Sequence, residues 1–80
     1  MTVGPQLRSA REQLGMSIAD VAAATRLRAS IIVAMEGDDF SLCGGAVYAR
    51  AQVRMMAPII GLDPDEIAHV FDAQSPGIDY

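Results

Sequence analysis

Apolar residues recur along the chain at helical spacing, and turn residues cut the pattern into short pieces. Leu7, Ala10, Arg11 and Leu14 fall three, four and seven apart, the register of one helical face, and Gly15 suits a left-handed stop. Pro5 fits the first turn of this helix, and Met1 to Gly4 before it is expected to be disordered. Ser17-Ile18-Ala19-Asp20 forms a capping box: the Ser oxygen takes an orphan N–H, and Asp20 reaches back. Val21, Ala22 and Leu27 are the small apolar contacts that let two short helices cross closely. The second of that pair spans about Ala29 to Met35 and ends at Gly37, which completes a helix-turn-helix register from Ser17 to Gly37.

After Gly37 the pattern changes. Gly37-Asp38-Asp39-Phe40-Ser41 is turn-rich, with Phe40 as its anchor in the core, and Gly44-Gly45 breaks the chain again. A fourth helix is predicted from about Val47 to Ile60, burying Val53, Ala57 and Ile60. Pro58 lies inside it and removes the hydrogen bond to the Arg54 carbonyl, so a kink or split is expected near Met55. Asp63-Pro64-Asp65-Glu66 supplies a cap, a first-turn proline and early acids for a fifth helix ending near Phe71. The expectation is therefore one all-α, five-helix domain over residues 1–72, with residues 73–80 as a linker.

Composition limits the chemistry. Half of the 80 residues are hydrophobic but only four are aromatic, so the core must be aliphatic and alanine-rich. A chain this short builds a core that is only marginally sufficient. Ten acids oppose six arginines, a net charge of −4, which is the wrong sign for a dedicated DNA-binding domain. One cysteine excludes an internal disulfide and fits a reducing compartment. No signal peptide or membrane-spanning run is visible, so the piece itself is expected to be soluble.

Candidate DNA contacts are sparse. Arg26, Arg28 and Ser30 surround the start of the would-be recognition helix and are candidates for phosphate contacts. Ala29 and Val33 offer at most a thymine methyl contact, whereas a bidentate Arg or Asn reader is worth about 1–3 kcal/mol of discrimination. Asp38 and Asp39 follow, where two carboxylates would repel a duplex. Ile31 is balanced between core and interface, and Val33 is assigned to an interface.

Other residues have quieter expectations. Cys43 should be a small buried hydrophobe and His69 a surface residue. No cluster has metal-ligand spacing, and no nucleophile–base pair or phosphate loop is visible, so no metal, cofactor or enzymatic activity is expected. Arg50 and Arg54 share one face of the fourth helix as a solvated stripe or as a contact for an acidic partner or anionic headgroups.

The chain resembles the cytoplasmic N-terminal domain of RodZ-type cell-shape proteins. The resemblance runs from Leu7 to about Phe71. It rests on Leu7-Arg8 with Arg11-Glu12, Gly15-Met16-Ser17, Val21-Ala22, Ala34-Met35-Glu36 and Gly61-Leu62-Asp63-Pro64-Asp65-Glu66. Asp39-Phe40 combined with Val47-Tyr48-Ala49-Arg50 is its most specific part. The resemblance implies a lambda-repressor-like fold and a structural ion pair between Arg11 and Glu36. It also implies a setting on the cytoplasmic face of the inner membrane, with residues 73–80 as the juxtamembrane linker to a membrane segment outside this sequence. The implied role links wall synthesis to the actin homologue MreB, or to another cell-shape or division protein, through the fourth helix. The chain departs from the family at Gln52 and Met56, where aromatic residues usually make the filament contact, so the usual actin contact is expected to be weakened. A partner surface of Tyr48, Arg50, Gln52, Arg54, Met55 and Met56 is expected in its place, with adaptable methionines substituting for aromatic anchors. The alternative function is DNA-binding regulation through Arg26, Arg28, Ser30 and Val33.

Overall fold

Five helices form where the pattern places them. The structure, a computed structural model, describes residues 2–74. The helices are α1 (Val3–Gln13), α2 (Ile18–Thr25), α3 (Ala29–Glu36), α4 (Ala46–Ile59) and α5 (Pro64–Gln74), and a 3-10 turn covers Ser41–Cys43. There is no strand among the described residues. Helices α4 and α5 form the most extensive packed pair, α3 packs on α1 and α2, and α1 also meets α5.

The core joins every element. Leu7 of α1, Val21 of α2, Ile32 and Met35 of α3, Val53 and Met56 of α4, and Ile67 and Phe71 of α5 are all buried. Phe40 anchors the α3–α4 connection as expected, with its ring 5.1 Å from that of Phe71 in an edge-to-face arrangement. Cys43 is buried beside it, and burial together with the nearby Asp39 raises its thiol pKa. His69 is exposed.

Three helices end in the same hydrogen-bonded cap. The amides of Met16, Asp39 and Leu62 return to the carbonyls of Arg11, Ala34 and Ala57. The left-handed residue that such a cap requires is Gly15 after α1 and Gly61 after α4, but Asp38 after α3, at φ +61°. Helix α3 stops at Gly37 as expected, and the left-handed residue of its cap is the next one, Asp38.

Several local expectations are corrected. Residues 2–4 are not loose: Val3 and Gly4 begin α1 and are buried. Leu14 lies beyond the last turn of α1 and is 56% exposed, so that helix buries Leu7 but not the last apolar position of its face. Helix α4 runs unbroken through Pro58, because the proline falls in the last turn and costs one bond at an end that frays anyway. Helix α5 continues through Ala73 and Gln74, so the first two residues of the expected linker are helical. Residues 75–80 of that linker, and Met1, lie outside the described residues.

Candidate functional site

The helix-turn-helix is built as its residues suggest. The Ser17 hydroxyl accepts from the Asp20 amide at 3.0 Å, and Asp20 accepts from the Ser17 amide at 2.9 Å. Arg26 occupies the left-handed position that ends α2, at φ +61°. Thr25 is buried, donates to the Val21 carbonyl and accepts from the Leu27 amide, which fixes the turn. Arg11 lies beneath the pair and locks it. Its Nε and Nη2 reach the two Glu36 carboxylate oxygens at 2.7 and 2.9 Å, and Nη1 donates to the Met16 carbonyl at 2.9 Å. Both side chains are nearly buried, and the bond from Glu36 holds the guanidinium pKa up. The expected ion pair is present.

The four candidate DNA-contacting residues, Arg26, Arg28, Ser30 and Val33, are all exposed. Ile31 is half-buried against the core, whereas Val33 is 58% exposed. The two carboxylates after α3 are held by local and long-range hydrogen bonds. Asp39 accepts from the Ser41 amide and hydroxyl, and Asp38 accepts from Thr2, Gly4 and Gln74. These donors are neutral and hold both carboxyls below their ordinary range, so both groups keep their charge and still repel a duplex. The argument from the poor set of base readers on α3 is unchanged.

The fourth helix presents a different surface. Val47 is 80% exposed, Tyr48 64% and Met55 47%. Val47, Ala51 and Met55 stand four residues apart, so they form one ridge along the helix. An open groove of about 700 Å³ runs beside it, lined by Val47, Arg50, Ala51, Arg54, Met55 and Pro64.

Arg50 and Arg54 line this groove but are already paired. Arg50 Nε lies 3.0 Å from Asp72 Oδ1, and Arg54 Nη1 lies 2.6 Å from Asp65 Oδ1. The Arg54 bond holds the Asp65 carboxyl below its ordinary range. The two arginines thus tether α4 to α5 along an exposed seam, rather than forming an unpaired basic stripe.

Two expected members of the partner surface do not belong to it. Met56 is fully buried, because it follows Val53 by three residues on the inward face. Gln52 is half-buried against the 3-10 turn, where its Nε2 donates to the Cys43 carbonyl at 3.2 Å. Its Oε1 is buried without a partner among the described residues. What remains exposed is Tyr48, Arg50 and Met55, with Arg54 at the edge. Val47, Ala51 and Pro64 join them. The four-residue spacing of Val47, Ala51 and Met55 could have identified that ridge.

Among the described residues no group of three or more His, Cys, Asp or Glu could hold a metal ion. None of the described helices is long and apolar enough to cross a membrane.

Comparison with known proteins matches these features. A helix-turn-helix domain family matches residues 6–67. The cytoskeleton protein RodZ of Streptococcus pneumoniae is 30% identical over 74 residues, which cover 92% of this chain and 27% of that protein. The uncharacterized membrane protein YmfM of Bacillus subtilis is 33% identical over 52 residues, or 65% of this chain and 18% of that protein. The chain thus spans about a quarter or less of the length of these relatives. No solved structure matches it. With the helix-turn-helix, its buried Arg11–Glu36 lock and its long fourth helix in place, the chain belongs to the family of RodZ-type helix-turn-helix domains.

Proposed function

We propose that this domain is a non-enzymatic protein-interaction module of a membrane-anchored cell-shape or division protein, and that its partner docks on α4. The observation that carries this reading is the exposed apolar ridge of Val47, Ala51 and Met55, extended by Tyr48. Apolar side chains grouped on one helix face leave water favourably when a partner covers them, and Met55 adapts to the surface it meets. Arg50 and Arg54 border the ridge with their charge compensated by Asp72 and Asp65, so a partner covers it without desolvating an isolated charge. The cytoskeletal relative supports the cell-shape setting, and the membrane-protein relative supports an anchor elsewhere in the full protein. The partner class is a cell-shape or division protein such as the actin homologue. Buried Met56 takes no part in the contact.

The competing reading is DNA binding, favoured by the exposure of Arg26 and Arg28 beside α3. Titrating the isotope-labelled chain with duplex DNA, at low and then physiological salt, separates the two. The proposal expects no saturable amide shifts at physiological salt. Salt-sensitive, saturable shifts confined to Arg26–Val33 would replace it with the regulator reading.

A further inference from the structure

One hydrogen-bonded junction joins the start of the chain, the end of α3 and the end of α5. The Asp38 carboxylate accepts from the Thr2 hydroxyl at 2.5 Å, the Gly4 amide at 2.8 Å and Gln74 Nε2 at 3.0 Å. The Gln74 amide oxygen in turn accepts from the Val3 amide at 2.8 Å. The first amides of a helix have no partner within it. In α1 those of Val3 and Gly4 are capped by side chains 71 and 34 residues away, and the third position is Pro5, which has no N–H to cap.

Two independent features show that the junction is built in. Gly4 lies so close to the end of α3 that an added Cβ would sit 2.6 Å from the Glu36 carbonyl oxygen and 2.8 Å from the Asp38 nitrogen. Asp38 holds the left-handed cap position that glycine fills after α1 and α4. A left-handed non-glycine residue is disfavoured by its Cβ, and here its carboxylate is what the junction uses.

We propose that Asp38 and Gln74 form a latch that couples the last turn of α5 to the helix-turn-helix. Loosening the end of α5 withdraws Gln74 from both Val3 and Asp38, which frees the first turn of α1 and the exit of α3 together. The inference stands on its own, whichever partner α4 meets.

Amide hydrogen exchange on the 80-residue chain tests the coupling by crossed readouts. Gln74→Ala removes the direct acceptor of Val3, so the informative amide is Gly4, which bonds only Asp38. Asp38→Gly removes the direct acceptor of Gly4 while suiting the left-handed backbone, so the informative amide is Val3. A coupled latch speeds exchange at each crossed amide by about tenfold. Asp38→Asn keeps one acceptor oxygen and should retain most of the protection. The proposal is overturned if each substitution affects only the amide that it contacts directly, with the crossed amide unchanged to within about twofold.

Discussion

Two pairs of arginines sit on two exposed helical faces, and their surroundings are opposite. Arg26 and Arg28 flank the turn into α3, and no ion pair involving them is found among the described residues. Of the large apolar side chains near them, Val33 is exposed, while Leu27 and Ile31 are half-buried. Arg50 and Arg54 are each tied to an aspartate of α5 and border an exposed apolar ridge. The first face offers charge with little to read a base; the second offers apolar area with its charge already balanced. In the proposed reading the helix-turn-helix serves as the frame that holds α4, so that a fold and the site grafted on it part company.

The largest expected effect lies in the frame. Arg11→Ala leaves Glu36 buried without a partner. It should cost about 3 kcal/mol and lower Tm by roughly 15 °C, read by thermal denaturation. Binding at α4 should survive at temperatures where the variant is folded. Arg50→Ala and Arg54→Ala break exposed pairs and should leave Tm close to that of the parent. If the exposed pairs mattered as much as the buried one, the contrast between frame and surface would fail.

Adjacent methionines sharpen the same contrast. Met56→Ala opens a cavity in the core and should cost about 2–5 kcal/mol in chemical denaturation. Met55→Ala should stay within about 0.5 kcal/mol and weaken only the partner contact. A smaller gain is expected at the α2–α3 turn, where Arg26→Gly relieves a left-handed side chain and should stabilise by about 0.5–1 kcal/mol in the same assay.

The pH dependence addresses the junction. Burial alone would raise the Asp38 carboxyl, but its three donors, Thr2, Gly4 and Gln74, together hold it below the ordinary value of 3.8. A depressed folded-state pKa means that its contribution is fully present above that ordinary value. The contribution is lost as pH falls through the lower folded-state value. Tm measured from pH 6 down to pH 2 should therefore fall less steeply in Asp38→Asn than in the parent.

Much of the fold was legible because it is written in local signals. The Ser17–Asp20 box, the Gly15 stop, the Asp63-Pro64 start and the three-four spacing of apolar residues are each contained within one or two turns. Arg11–Glu36 became legible through family resemblance rather than spacing. The misreadings come from long-range pairing and from the precise phase of a helix. Asp38 looks like a free acid until Gly4 and Gln74 are seen to converge on it from both ends of the chain. Arg50 finds its partner 22 residues away, which no periodicity announces. Met55 and Met56 are chemically the same, and only about 100° of helical phase puts one in solvent and the other in the core. Pro58 misled because its cost depends on whether it falls mid-helix or in the last turn.

The central claim is that α4, and not the recognition helix, is the working face. The most direct measurement compares cell shape in cells that depend on full-length protein carrying changes on one face or the other. Val47→Asp with Met55→Asp places charge on the ridge, while Arg26→Glu with Arg28→Glu reverses charge on the helix-turn-helix. Both proteins should first be shown to fold and accumulate normally. The account predicts that the ridge variant loses normal shape and the helix-turn-helix variant keeps it. Normal shape with the ridge variant and lost shape with the arginine variant would contradict it.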